Sequence, residues 1–84
     1  MTITIQSLKE GDTFYECQYG INVEYVALCD PYRAENDSGW AINGKMLSSS
    51  SESDQDNISE EQWFFSHDKY PAYGPKLYLY PEYG

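Results

Sequence analysis

Short segments of alternating apolar and polar residues, separated by turn-forming residues, run along most of this chain. Alternation with a period of two is typical of strands that bury one face. The strand-like segments are 2–5, 13–17, 21–29, 39–46, 63–67 and, among prolines, 76–80. Those prolines keep the last segment at a sheet edge. Because little in the pattern favours a helix, it predicts an all-β protein.

The turn between the second and third segments determines which residues face the core. A three-residue loop at 18–20 places Gly20 at the left-handed position of a G1 bulge. The apolar face then consists of Tyr15, Cys17, Ile21, Val23 and Tyr25. Glu16 and Glu24 lie on the opposite, exposed face. A two-residue turn at 19–20 would instead move Glu16 onto the apolar face, so we predict the three-residue loop.

The remaining stretches carry turn or loop signals. Residues 30–38 are rich in turn-forming types. Residues 48–57 contain no apolar side chain and predict a mobile surface loop or a disordered insert. Asn43-Gly44 could form a tight turn that divides the strand 39–46 into two arms. Residues 59–62 fit a capping box that starts at most one helical turn.

A small barrel or curled sheet is the usual architecture for short antiparallel strands in a chain of 84 residues, because closure removes exposed strand edges. The order of a Gly-Asp turn, a hairpin and a Trp-bearing strand resembles an SH3-like barrel. That resemblance concerns the fold and carries no function. We therefore predict a single domain over 1–84, with a small antiparallel barrel or curled sheet, at most one short helical turn and a flexible loop at 48–57.

Charge narrows the classes of function. The formal net charge is −9, and the five basic residues are scattered. Phosphate binding needs a concentrated basic patch, so we expect no direct binding of nucleic acid. No apolar run is long enough to span a membrane, and the first residues lack the basic and apolar regions of a signal peptide. These features predict a cytoplasmic protein that does not bind membranes.

Residues capable of catalysis or metal binding lack a recognisable arrangement. His67, Cys17 and Cys29 match no zinc spacing. The acidic residues of 52–56 lack the glycine and bidentate glutamate of an EF-hand loop. Cysteines in strands are more often small buried residues than nucleophiles, and no carboxylate lies in an apolar segment that would raise its pKa for acid catalysis. We expect no enzyme activity, no cofactor and no metal.

Two segments carry a resemblance to known proteins. The opening segment 8–17 reads LKEGDTFYEC, and 73–78 reads YGPKLY. Both resemble the corresponding segments of small uncharacterised β-proteins of phages and prophages. The resemblance implies an accessory protein of a mobile element that acts in the host cytoplasm by binding host machinery. It brings no activity and no catalytic residues.

The acidic residues occur in patches that suggest how a protein partner is bound. Alternate residues of a strand lie about 6.8 Å apart on one face, close to the separation of successive phosphates. Such carboxylates could occupy a basic groove that normally accepts nucleic acid. This predicts a protein partner with a basic surface and an inhibitor of a nucleic-acid-handling defence system, of the anti-CRISPR or nucleic-acid-mimic type. The predicted contacts are Glu16, Glu24, Glu35, Asp37, Glu60 and Glu61, with Tyr78 and Tyr80 as aromatic anchors.

Tyrosines and prolines are concentrated in residues 70–84 and support an alternative function. Tyrosine rings can cover a thin core, and they are also enriched at binding hot spots. The alternative is therefore a structural or adaptor module that binds a protein through this segment or through an exposed sheet edge. Exposed edges of so small a sheet are also suited to pairing two copies into a homodimer.

Overall fold

In the computed structural model of the protein, which describes residues 2–81, the chain forms a curled, half-barrel antiparallel sheet. Its strands are β1 (Thr2–Ile3), β2 (Thr13–Gln18), β3 (Ile21–Ala27), β4 (Tyr32–Ala34), β5 (Gly39–Ser49), β6 (Glu61–His67) and β7 (Leu77–Tyr78). The helical segments of the described residues are 3₁₀ turns at Ile5–Ser7, Glu52–Asn57 and Pro71–Tyr73. The predicted all-β class and curled sheet are confirmed. Residues 82–84, the end of the Tyr/Pro-rich segment, lie outside the described residues.

The long strand β5 organises the sheet. β3 and β4 pair with one of its edges and β6 with the other. At the opposite end of the sheet, β7 lies between β1 and β2, so the prediction that prolines keep this segment at a sheet edge is wrong. Asn43 and Gly44 belong to continuous β5, so the tight turn considered for them does not form. Within residues 2–81, β6 pairs with β5 alone and its second edge stays open.

The β2–β3 hairpin has a two-residue turn, and the predicted three-residue loop is wrong. Gln18 pairs with Ile21, and the turn residues Tyr19 and Gly20 have φ values of 53° and 76°. Positive φ at both positions is the signature of a type I′ turn, whose twist matches that of paired strands. The register of β2 therefore differs by one residue from the prediction.

This register places the side chains of β2 on faces opposite to those predicted. Phe14 and Glu16 lie on the inner, core-facing side, because they pair with Tyr25 and Val23. Tyr15 and Cys17 lie on the outer side, as does Glu24. The prediction left out Phe14, which is the most apolar side chain of the strand. The free energy gained by burying Phe14 completely exceeds the cost of partly burying the Glu16 carboxylate.

Three aromatic rings form the centre of the core. The ring centroids of Phe14, Tyr25 and Phe64 lie 5.0 to 5.6 Å apart. Gly44 allows the rings to approach β5, since a Cβ at this position would lie 3.0 Å from Cζ of Phe14. The other buried members of the cluster are Ile5, Leu8, Val23, Ala27, Ile42, Met46 and Leu77.

The secondary structure of two further segments differs from the one predicted from the sequence. β4 forms within the predicted turn region 30–38, and the turn itself is confined to 35–38. Ser59 has a φ of 76° and donates its N–H to the carbonyl of Met46 over 2.8 Å, so the predicted capping box starts no helix. Strand pairing with β5 overrides the local cap because the pairing continues through all of β6. The mobility of 48–57 stays a prediction.

Candidate functional site

A groove at one end of the inner side collects carboxylates from three parts of the chain. β2 supplies Glu16, the Glu52–Asn57 turn supplies Asp54, and the approach to β6 supplies Glu60 and Glu61. The groove has a volume of about 350 Å³ and is also lined by apolar side chains. We call it the acidic groove and define it by Glu16, Tyr25, Asp54, Glu60 and Glu61.

The environment of the acidic groove shifts the pKa values of two of its residues, Glu16 and Tyr25. Burial raises the pKa of the Glu16 carboxyl above its ordinary value. Burial, together with the negative charges of Glu16 and Asp54, raises the pKa of Tyr25 to about 12. Within residues 2–81, no lysine or arginine forms a salt bridge with the four carboxylates. Lys45 lies opposite Glu61 in the register of β5 and β6 and offsets part of this charge, so the acidic groove presents an excess of negative charge next to apolar surface.

The raised pKa of Glu16 predicts how stability depends on pH. Above 4.5, the ordinary value for this carboxyl, the unfolded chain releases a proton that the folded protein retains. The folded state then binds more protons, so this contribution to stability falls as the pH rises from 4.5 through the raised pKa. We expect Glu16→Gln to be more stable than the parent at pH 7 and to show a shallower decline above pH 4.5, as measured by urea unfolding. Glu35→Gln, in an exposed turn, serves as the control, and a loss of stability for Glu16→Gln at pH 7 would contradict the assignment.

The structure brings together some of the predicted contact residues and separates the others. Glu16, Glu60 and Glu61 line one groove. Glu24 lies on the outer side, where it accepts hydrogen bonds from the hydroxyls of Tyr15 and Ser48, so the predicted shared face of Glu16 and Glu24 is wrong. Glu35 is exposed in the turn after β4.

Arg33 neutralises two acidic residues away from the acidic groove. Its Nη1 and Nη2 donate to both carboxylate oxygens of Asp68, at 3.1 and 2.6 Å, and Nε donates to Asp37 at 2.6 Å. These bonds hold the pKa of Asp68 below its ordinary value. The guanidinium also lies 5.0 Å from the ring centroid of Trp40. Asp37 is thereby engaged in an internal ion pair, which makes it a weaker candidate for contact with a partner.

A second surface consists of aromatic rings along the outer side of β6. Trp63, Phe65, His67, Tyr70 and Tyr73 form a row in which successive ring centroids lie 5.1 to 6.4 Å apart. We call this row the aromatic stripe. The alternation of Trp63, Phe65 and His67 is visible in the sequence, but from it we predicted a strand and no aromatic surface.

Neighbouring residues fix the first two rings of the aromatic stripe. Trp63 and Phe65 are stacked 5.4 Å apart with an interplanar angle of 11°. The Trp63 indole Nε1 donates to the hydroxyl of Tyr32 over 3.0 Å, and that hydroxyl donates to Asn43 Oδ1 over 2.7 Å. Trp63 is 46% exposed although its polar atom is already bonded. Its accessible surface is therefore a flat ring held in one orientation.

The two predicted aromatic anchors lie elsewhere. Tyr78 is half-buried in β7, where it pairs with Tyr15 and Thr2. Tyr80 follows β7 and is exposed. Within residues 2–81, neither ring is in stacking contact with the aromatic stripe.

The described residues contain no group of three or more His, Cys, Asp or Glu side chains that could hold a metal ion. Over the same residues, no helix has the length and hydropathy needed to span a membrane. No family model, curated protein or solved structure matches this chain. Function is therefore inferred from the acidic groove and the aromatic stripe.

Proposed function

We propose that this protein is a non-catalytic acidic binding protein that docks on a basic surface of another protein through the acidic groove. The observation that carries the proposal is the set of four carboxylates that line one groove and form no salt bridge with a lysine or arginine within residues 2–81. Like charges held together destabilise the free protein, and a cationic partner would relieve their repulsion. The apolar lining would pack against the aliphatic stems of lysine and arginine side chains.

The class of target is a host protein that handles nucleic acid, such as a component of a defence system against phages. A groove that accepts phosphates also accepts closely spaced carboxylates, because both contacts are electrostatic. The resemblance of 8–17 and 73–78 to phage proteins supports this class and a site of action in the host cytoplasm. The carboxylates of the acidic groove come from separate segments of the chain. They could therefore take the place of phosphates in a partner's groove without forming a row along a single strand.

A second candidate function is that of an adaptor module, and the aromatic stripe is the observation that favours it. Trp63, Tyr70 and Tyr73 expose large rings next to the open edge of β6. Ion pairs between exposed charges weaken as salt rises, whereas contacts between aromatic surfaces persist. Salt dependence therefore separates the two functions.

Charge-neutral variants test the proposed function by capture from bacterial lysate at several salt concentrations. Asp54→Asn, Glu60→Gln and Glu61→Gln are combined, and the matched control combines Glu10→Gln, Glu35→Gln and Glu52→Gln, which removes the same charge outside the groove. Three exposed ion pairs at about 0.2–1 kcal/mol each give an expected loss of affinity of about tenfold for the groove variant.

Mass spectrometry of the retained proteins then identifies the target. A nucleic-acid-binding protein that is retained at low salt, released at high salt and lost in the groove variant alone supports the proposal. Equal retention by the groove variant and the parent would overturn it. A partner that persists at high salt and handles no nucleic acid would support the adaptor function instead.

A further inference from the structure

Within residues 2–81, no strand pairs with the second edge of β6, although Gly74 packs against Ser66 near the end of the strand. Proteins usually blunt an edge strand by shortening it or by placing proline or lysine in it. β1, at the other end of the sheet, has only two residues. β6 has seven residues, Glu61–His67, with neither proline nor lysine among them. The carbonyl of His67 already accepts the N–H of Tyr70, so the edge can accept another strand along residues 61–65.

The hydrogen bonds to β5 show which backbone groups of β6 are available. Asp68 donates its N–H to the carbonyl of Ser38, and Met46 donates to the carbonyl of Glu60. Antiparallel ladders alternate between residues that bond the neighbouring strand and residues that point away from it. In the register of β5 and β6, the even-numbered residues of β6 therefore bond β5. Trp63 and Phe65 direct their backbone N–H and C=O groups towards the open edge.

The aromatic stripe adjoins the same edge. A strand added beside β6 would place alternate side chains on the outer side, directly beside Trp63 and Phe65. These two rings are already stacked, and the Trp63 indole is already bonded to Tyr32. Binding would therefore require little reorganisation of the surface, which lowers the cost of association.

The net charge of the protein determines which kind of segment can pair with the open edge of β6. The net charge of the chain is −9. A second copy of the chain would bring a further net charge of −9 to the complex, and phosphates of nucleic acid would be repelled in the same way. A segment rich in arginine would be attracted, and guanidinium groups stack on aromatic rings. Arg33 and Trp40 already adopt this arrangement within the chain, 5.0 Å apart.

We infer that β6 binds an extended, arginine-bearing segment of a partner protein as an added strand, with its arginine side chains on Trp63 and Phe65. Backbone hydrogen bonds along the edge supply affinity, and the rings select arginine at alternate positions. This inference goes beyond the proposed function and does not depend on the acidic groove. It names the chemical class of segment that the aromatic stripe takes.

The probe for this inference is a capped eight-residue peptide of alternating arginine and threonine. We expect the amide hydrogens of Trp63 and Phe65 to exchange more slowly on addition of the peptide. Trp63→Ala should weaken peptide binding at least about tenfold, as truncation of an aromatic hot spot does. Tyr80→Ala, which removes an exposed ring that follows β7 and lies outside the aromatic stripe, is the control and should bind as the parent does.

A second peptide keeps the charge but carries an N-methyl group on every backbone amide, so neither of its edges can donate hydrogen bonds to β6. Equal binding of this peptide would overturn the inference, as would peptide-induced changes confined to the acidic groove. Protection of Trp63 and Phe65 that rises with protein concentration in the absence of peptide would assign the edge to a homodimer and overturn it as well. In the groove variant, with Asp54, Glu60 and Glu61 neutralised, the peptide should still slow the exchange of the Trp63 amide hydrogen. This result separates the binding of a strand at β6 from the proposed docking through the acidic groove, so that either can fail without the other.

Discussion

Replacing Phe14 by alanine should lower the free energy of unfolding by about 3–5 kcal/mol, because a buried phenylalanine loses its transfer energy and leaves a cavity. Phe14 has no exposed surface and contacts the rings of Tyr25 and Phe64. A chain of this length has a total stability of roughly 4–13 kcal/mol. The substitution should therefore remove a large fraction of that stability, and urea unfolding measures the loss.

Tyr15→Ala is the matched control because it truncates the adjacent aromatic residue on the outer side. It removes a hydrogen bond to Glu24, worth about 0.5–1.5 kcal/mol, and part of a half-buried ring. Phe14→Leu keeps most of the volume and provides a folded variant if Phe14→Ala does not fold. A larger loss for Tyr15→Ala than for Phe14→Ala would favour the three-residue loop and contradict the register of β2.

Gly39→Ala should destabilise the protein by about 1–3 kcal/mol through overpacking, even though alanine is usually preferred to glycine in a strand. A Cβ at Gly39 would overlap the carbonyl oxygen of Ser66 and lie 2.8 Å from Cζ of Phe65. Either β6 or the Phe65 ring must then move. The midpoint of thermal unfolding should fall by about 4 °C or more.

The same substitution should disturb the aromatic stripe, since Phe65 packs over Gly39. The near-ultraviolet circular dichroism of the stacked Trp63 and Phe65 rings is the readout. Ser38→Ala changes the preceding residue without altering its backbone hydrogen bonds, and it should leave both stability and spectrum close to those of the parent. An unchanged melting temperature for Gly39→Ala would show that the strands adjust without cost, contrary to this expectation.

Local patterns predict the strands of this protein well, but not their register. The alternation over 13–17 and 21–29 is compatible with either face, and only the turn geometry and the packing of Phe14 decide between them. Ser59 illustrates the same limit: its side chain suggests a helix cap, yet pairing with β5 extends the sheet instead. Contacts that are distant in sequence outweigh local propensities of about 1 kcal/mol.

The two surfaces differ in how far the sequence could reveal them. The acidic groove depends on bringing residue 16 next to residues 54, 60 and 61, which requires the register and the curl of the sheet. For this reason Asp54 is absent from the contacts that the sequence predicts. The aromatic stripe is mostly local, because Trp63, Phe65 and His67 must share one face of any strand that contains them. Its extension to Tyr70 and Tyr73 follows only from the chain path after β6.

The acidic groove and the aromatic stripe meet on one strand, since Glu61 lines the first and Trp63 begins the second. These residues are about 6.8 Å apart along an extended strand, so a single partner can touch both surfaces at once. After one contact forms, the other is made within the complex, at an effective concentration that can reach the millimolar range. Two individually weak contacts would then produce tight, slowly dissociating capture. Substitution on one surface alone would chiefly shorten the lifetime of the complex, and only combined substitutions would abolish it.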